Sequence, residues 1–175
     1  MKYFEYLLFF SLAFSDYVID ESKSKVIYYG KHPLHSWSGM TSNIKLNSQC
    51  KINDDMNCDF EFQIPIMSFY SGNDNRDSNM LHYLNAFLFP NVKMTFENVI
   101  IMNYNGTLMN SQLHLNDIKR YYQIPINISS VSDKEYLVES IFFISLDDFD
   151  VEIPKLLFLP IDDQIMIEVK LLIFR

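Results

Sequence analysis

The chain has 175 residues, of which 15% are aromatic, while only 4 are glycine and 6 are proline. This length suits one domain with a sizeable core, and the composition is β-prone rather than disordered. The formal net charge of −8 argues against nucleic acid as a partner, because an acidic surface repels phosphate backbones.

Residues 1–15 have the pattern of a secretory signal peptide. Lys2 supplies positive charge, an apolar run follows, and Ala13 and Ser15 are small residues at the −3 and −1 positions of a cleavage site. The alternative is a membrane-anchoring start, but the run is shorter than the ~20 residues that a spanning helix needs. No later segment is long and apolar enough to cross a membrane. We therefore expect residues 16–175 to form an exported, soluble domain.

Alternation of polar and apolar residues predicts about eight antiparallel strands. Their apolar phases run over Val26–His32, Ile44–Cys50, Cys58–Ile66, Val92–Phe96, Leu113–Leu115, Tyr122–Ile128, Phe142–Leu146 and Ile165–Ile173. Turn-forming residues at 53–55 and 116–117 separate neighbouring strands at hairpin spacing. A set of this size closes into a barrel or packs as a sandwich.

One amphipathic helix is predicted near Asp77 to Leu88, with Asp77 or Ser78 as its N-cap. Pro90 should end it, since the residue before a proline is pushed toward extended geometry. The apolar stripe of this helix consists of Met80, Leu84 and Phe87, widened by Leu81 and Leu88. A single helix in an all-β chain indicates a sheet that is plugged or covered, so the stripe either packs as core or lines a cavity.

Several segments, in their order and spacing, resemble the YceI-like family of exported polyisoprenoid- or lipid-binding proteins. The resemblance covers Tyr17 to Phe174 and rests on His32-Pro33-Leu34-His35-Ser36-Trp37-Ser38-Gly39, Ser71-Gly72-Asn73 with Arg76-Asp77 and Met80-Leu81, Phe89-Pro90 with Phe96, and Ile153-Pro154 with the terminal strand. The chain departs from the family where Ser111-Gln112-Leu113 and Asn116-Asp117 replace a glycine-containing hairpin. Asn and Asp tolerate positive φ, so a tight turn is still expected there.

The resemblance implies an antiparallel lipocalin-like β-barrel that holds an isoprenoid or fatty-chain amphiphile and has no catalytic role. The expected ligand-binding residues are Tyr28, His32, His35, Trp37, Arg76, Met80, Leu84, Phe87, Phe96 and Phe142. Arg76 either pins a loop together with Asp77 or faces a lipid head group at the cavity mouth. The lipid is the only bound group expected, the periplasm is the expected compartment, and the oligomeric state is undecided, a dimer being compatible.

Two other functions compete with lipid binding. His32 and His35 could serve a metal-assisted hydrolase, with His82 and His114 as completing ligands, although two histidines on a loop without a nearby acidic or Cys partner are a weak zinc signal. The sequence contains no nucleophile elbow, phosphate loop or dinucleotide motif, so we predict neither an enzyme nor a metal site. Alternatively, the many aromatic residues could fill the barrel themselves.

Cys50 and Cys58 both fall on the apolar phase of their strands. If the hairpin turns symmetrically about Asp54, residue 50 faces residue 58 and residue 46 faces residue 62. Directly opposed residues in a non-hydrogen-bonded pair have Cα atoms about 4.5 Å apart, which is within disulfide range. The sequence therefore predicts a disulfide in an oxidising compartment, the alternative being two buried thiols if the turn is shifted by one residue.

Overall fold

The structure is a computed structural model that describes residues 17–51 and 57–175. The predicted signal peptide and the turn residues at 53–55 lie outside the described residues. Among those described, no helix has the length and apolar character required to span a bilayer.

Antiparallel strands dominate the described part of the chain. The strands are β1 (Val18–Ile19), β2 (Lys25–His32), β3 (His35–Thr41), β4 (Lys45–Lys51), β5 (Asn57–Pro65), β6 (Asn91–Ile100), β7 (Tyr104–Leu115), β8 (Ile118–Ser130), β9 (Glu135–Ser145), β10 (Lys155–Leu156), β11 (Leu159–Pro160) and β12 (Gln164–Phe174). The α-helix α1 spans Asp74–Tyr83, and short 3₁₀ helices span Ile66–Ser68 and Asp147–Phe149.

Ten of these strands form one curled sheet in the order β3-β2-β12-β9-β8-β7-β6-β5-β4, with β1 also paired to β12. Strands β10 and β11 form a separate hairpin. The buried apolar side chains lie on the inner face of the curl, in two adjoining clusters. The antiparallel, lipocalin-like fold with one α-helix that the sequence predicts is confirmed, as a curled half-barrel.

The first and last strands of the sheet, β3 and β4, are not joined by a ladder within residues 17–51 and 57–175. Near this seam, one contact ties the residue before β1 to β4, and another ties β3 to the segment that precedes α1. The Tyr17 amide donates to Ser48 Oγ at 2.9 Å, and Met40 and Tyr70 exchange backbone hydrogen bonds of 3.0 Å. The antiparallel ladders place α1, the β2–β3 turn and the β10–β11 hairpin at one end of the barrel and the Cys50–Cys58 pair toward the other.

The helix does not have the predicted bounds. It begins earlier, because Asn73 Oδ1 caps it by accepting from the Arg76 amide at 3.0 Å. It also ends at Tyr83, before the chain reaches Pro90. Asn85 adopts φ 48, and the Ala86 amide bonds to the Leu81 carbonyl while the Asn85 amide bonds to the His82 carbonyl. These two bonds form a Schellman motif, which terminates the helix.

The predicted register of one hairpin and the predicted turn of another are confirmed. Cys50 pairs with Cys58 and Leu46 with Phe62, and the two cysteines form a disulfide with Cα atoms 4.0 Å apart. At the other hairpin, Asn116 and Asp117 have φ of 49° and 60°, and they connect β7 to β8 in a two-residue turn. Asn and Asp thus supply the positive φ that glycine would otherwise provide.

Candidate ligand cavity

A cavity of about 570 Å³ occupies the interior of the barrel. Its walls are the inward apolar side chains of the sheet, and α1 with the residues that precede it covers one end. This volume lies within the ~300–1,000 Å³ typical of small-molecule sites. The cavity contradicts the alternative in which the barrel is filled entirely by its own aromatic side chains.

Nine of the ten residues expected to contact a ligand line this cavity. They are Tyr28, His32, His35, Trp37, Arg76, Met80, Leu84, Phe96 and Phe142. The expectation for Phe87 is wrong, because its side chain is 88% exposed and lies outside the lining. The helix ends at Tyr83, so the stripe that joins Met80 to Leu84 does not continue to Phe87.

Much of the lining lies outside the set of residues predicted from the sequence. Inward residues of β5, β6, β8, β9 and β12 contribute, among them Phe62, Ile64, Met94, Val138 and Ile167. The period-2 apolar phase of each strand could have identified them, because one face of every strand in a small barrel points inward. No sequence signal indicated Lys155, which reaches the lining from the β10–β11 hairpin.

Two aromatic residues of the β2–β3 wall are held over glycines on the opposite strand. Tyr28 pairs with Gly39, and Gly30 pairs with Trp37. A Cβ atom added to Gly30 would overlap the indole of Trp37, and one added to Gly39 would overlap the ring of Tyr28. Because glycine has no side chain, Gly30 and Gly39 leave room for both rings. The hairpin itself therefore holds these rings in position.

The polar lining residues cluster at the end where α1 begins, and we call this end the mouth. Asn73, Asn75 and Asn79 come from the start of the helix, and exposed His35 comes from β3. Among the described lining residues, Arg76 is the only arginine and Lys155 is the only lysine. These lining residues include no Asp or Glu. The charged lining residues at the mouth are therefore both positive, while the Asp77 carboxylate, which shares Ser71 with Arg76, lies outside the lining.

Arg76 both shapes the mouth and fixes its loop. Its Nε donates to Ser71 Oγ and its Nη2 donates to the Ser71 carbonyl, each at 2.9 Å. Asp77 accepts from the Ser71 amide at 3.1 Å and from Ser71 Oγ at 2.5 Å. The Arg76 guanidinium also lies 5.8 Å from the centre of the Trp37 ring, in cation–π range. Both roles considered for Arg76 are thus compatible with its position.

His32 is buried and uses both ring nitrogens. The Leu34 amide donates to Nδ1 at 3.2 Å, so the proton lies on Nε2, which is 3.2 Å from the Leu159 carbonyl. The ring thereby ties the β10–β11 hairpin to β2. No cluster of three His, Cys, Asp or Glu side chains suited to a metal ion occurs in the part of the chain that the structure describes.

The pKa of Tyr28 lies above its ordinary value because of the place of this residue in the wall. Burial raises the pKa of its phenol, and the nearby Asp77 carboxylate raises it further, against the opposing charge of Arg76. Tyr28 is thus neutral at physiological pH, and its hydroxyl lies beside Ser71 and Trp37. This hydroxyl can donate one hydrogen bond or accept others.

The fold and its apolar interior place the protein in the class of antiparallel, lipocalin-like barrels. The sequence matches the YceI-like domain over residues 17–173, and the chain belongs to this family. Among curated protein sequences, none matches it significantly.

Solved structures share the fold at low sequence identity. Burkholderia cenocepacia BcnA superposes with a TM-score of 0.72 and 16% identity, covering 89% of this chain and 99% of the other. A polyisoprenoid binding domain from Saccharophagus degradans, implicated in plant cell wall breakdown, gives 0.70 and 13%, covering 90% and 97%. The Campylobacter jejuni YCEI protein gives 0.61 and 13%, covering 77% and 82%.

Proposed function

We propose that this protein is an exported, non-enzymatic binding protein that holds a lipid-like amphiphile, with its isoprenoid or fatty chain inside the barrel and an anionic head group at the mouth. The observation that carries this proposal is the lining of the cavity. It combines an apolar interior with a polar mouth at which the charged lining residues, Arg76 and Lys155, are both positive.

The interior suits a single hydrocarbon chain. A water molecule takes about 30 Å³ of liquid and a methylene group is of similar size, so the ~570 Å³ holds roughly twenty carbon atoms. Each buried methylene contributes about 0.8 kcal/mol to binding. A domain of the same fold from Saccharophagus degradans is described as polyisoprenoid binding, which supports an isoprenoid as well as a fatty chain.

The mouth suits a carboxylate or phosphate head group. Arginine carries five N–H donors, and Ser71 engages two nitrogens of the Arg76 guanidinium within the described structure, so further N–H groups can face a ligand. Charge-assisted hydrogen bonds to anions are about twice as strong as neutral ones. Lys155 adds a second positive charge from the hairpin that His32 anchors.

Export is supported by the disulfide and by the signal-peptide pattern of residues 1–15. Disulfides persist in oxidising compartments such as the periplasm and are rare in the cytosol. The Cys50–Cys58 bond joins adjacent strands within the fold, so it fits a protein that matures outside the cytosol. We propose the periplasm as the compartment.

The proposal is tested by comparing one blocked cavity with a matched control. Met94 is half-buried in the lining, so a Met94→Trp side chain should occupy the cavity. Met102 is 52% exposed and lies outside the lining, so Met102→Trp should leave the cavity open. Uptake of a fluorescent fatty-acid probe is measured for each folded variant.

We expect the native protein and Met102→Trp to bind the probe and Met94→Trp to lose binding. Native mass spectrometry of protein purified from its host should also show a bound amphiphile. A clean ligand-free mass together with no uptake of fatty or isoprenoid probes would overturn the proposed function.

A further inference from the structure

A second, small void of about 40 Å³ lies inside the barrel beyond the large cavity. The two spaces share four lining residues, each from a different strand: Phe62, Phe96, Ile126 and Val138. We call these four residues the floor. The floor separates the large cavity from the space beneath it, which is lined further by Phe60, Val99 and Ile128.

The floor is at the end of the cavity opposite the mouth. Along β5, residues from Phe62 onward lead to Pro65 and then toward α1, whereas Phe60 and Cys58 lie farther from the helix. On the neighbouring strand, Phe96 pairs with Phe60. It likewise lies away from Asn91, where β6 begins at the same end of the barrel as the helix. An amphiphile whose head group stays near Arg76 therefore meets the floor with the tip of its chain.

The aromatic part of the floor is wedged in place. The rings of Phe62 and Phe96 meet edge to face with centroids 6.2 Å apart. Phe62 also stacks on Phe60 at 6.4 Å, and Phe60 is 3% exposed and pairs directly with Phe96 across the β5–β6 ladder. Movement of either floor ring would disturb this packing, so the two rings do not move freely.

We propose that Phe62 and Phe96 set the greatest chain length that the cavity accepts, near twenty carbon atoms. This inference rests on the proposed function, since it concerns the same ligand. A longer chain would have to fold back or leave carbon atoms in water at the mouth, and each exposed methylene forfeits about 0.8 kcal/mol of binding free energy.

The test displaces a fluorescent probe with saturated fatty acids of increasing length. For the native protein, we expect affinity to rise with length up to roughly twenty carbons and then to level off or fall. Phe62→Ala opens the floor toward the small void. A large-to-alanine cavity of order 100 Å³ plus the 40 Å³ void accommodates roughly five more carbons, which is one isoprene unit. The optimum should therefore shift upward by about four to six carbons.

Two further variants complete the test. Phe142→Ala is the matched control, because Phe142 lines the large cavity but not the small void. It widens the cavity at its wall and leaves the floor in place, so it should weaken binding and shift the optimal length by less than Phe62→Ala does. Ile64→Phe raises the floor, since Ile64 lies two residues nearer the mouth on the same face of β5, so the optimum should shift to shorter chains. This variant decides the matter if Phe62→Ala fails to fold.

The outcomes separate the two proposals. An optimal length that is the same in the native protein, Phe62→Ala and Ile64→Phe, with binding retained, would overturn the role of the floor and leave lipid binding intact. No binding at any chain length in the native protein would overturn both.

Discussion

The indole of Trp37 occupies the space above Gly30, its partner on the neighbouring strand, where a Cβ atom would stand in any other residue. The Tyr28 ring occupies the equivalent space over Gly39. Each strand of the β2–β3 hairpin thus contributes one aromatic residue and one glycine. This reciprocal arrangement fixes two cavity-lining rings from both sides of the hairpin.

Gly30→Ala should displace Trp37 and lower the free energy of unfolding by about 1–3 kcal/mol, the usual cost of overpacking. Trp37 is the single tryptophan of the chain, so its fluorescence should also change in the folded state. Denaturant unfolding and emission spectra measure both effects. Ser38→Ala, an exposed change on the same hairpin, serves as the control and should alter neither quantity. Equal unfolding free energies for Gly30→Ala and the native protein would contradict this view of the wall.

Arg76→Gln should weaken binding of a fatty acid by roughly tenfold to a hundredfold, because a charge-assisted hydrogen bond contributes about 1.5–3 kcal/mol. A fatty alcohol of the same chain length provides the control, since it lacks the anionic head group. Its affinity should change much less. Competition against a fluorescent probe measures both ligands. If the two affinities fell equally, Arg76 would act by shaping the Ser71 loop and not by contacting the head group.

Removing the Cys50–Cys58 bond should lower the free energy of unfolding by about 2–3 kcal/mol, the value expected for a loop of this length. A Cys50→Ala/Cys58→Ala double variant is compared with the native protein, each with and without reductant. Only the native protein should lose stability on reduction. Thiol titration of the denatured, unreduced mature protein should find no free thiol, and two free thiols would contradict the bond.

Asp163 should make stability depend on pH in the acid range. Burial favours its neutral form, but hydrogen bonds from the Ser145 hydroxyl, the Asp147 amide and other donors outweigh this and lower its pKa below the usual 3.8. A carboxyl whose pKa is lower in the folded state stabilises the fold above its unfolded pKa, and this contribution is lost as pH falls through the folded value. Stability should therefore decline below about pH 4.

Asp163→Asn should reduce the free energy of unfolding at neutral pH by about 1 kcal/mol and flatten the decline below pH 4. Asp133→Asn, at an exposed position between β8 and β9, is the control and should leave the profile unchanged. Denaturant unfolding between pH 3 and 7 gives both curves. A parallel decline in the native protein and Asp163→Asn would assign the acid sensitivity to other groups.

The strands that carry alternating apolar residues could be predicted from the sequence, because each has one wet and one buried face. The register of β4 against β5 also followed, since pairing Cys50 with Cys58 keeps both apolar phases on the same side. Strand β3 was missed because its inward positions include Gly39, whose contribution to the wall is made by the Tyr28 ring across the ladder. Apolar periodicity along one strand does not contain that information.

The helix shows where local patterns fall short. The polar loop before it offers several cap residues, and hydrogen bonds within the loop and the first helical turn decide among them. Asp77 was a suitable cap by type, but its carboxylate bonds to Ser71, which leaves Asn73 to cap the helix. The helix then stops at a motif built on Asn85, so Phe87 lies on the surface. The lining residue Arg76 could be predicted from the family resemblance of its segment, whereas Lys155 depends on a hairpin with no sequence signature.

In the described residues, no strand pairing closes the barrel at the seam between β3 and β4. Every other pair of neighbours in the curled sheet is joined by a ladder, whereas β3 and β4 share none in the described residues. Near this line, Tyr17 bonds to Ser48 of β4, and Met40 of β3 bonds to Tyr70. Separation of β3 from β4 would break none of the ladders of the sheet. We therefore expect a ligand thicker than a single chain to be accommodated at this line.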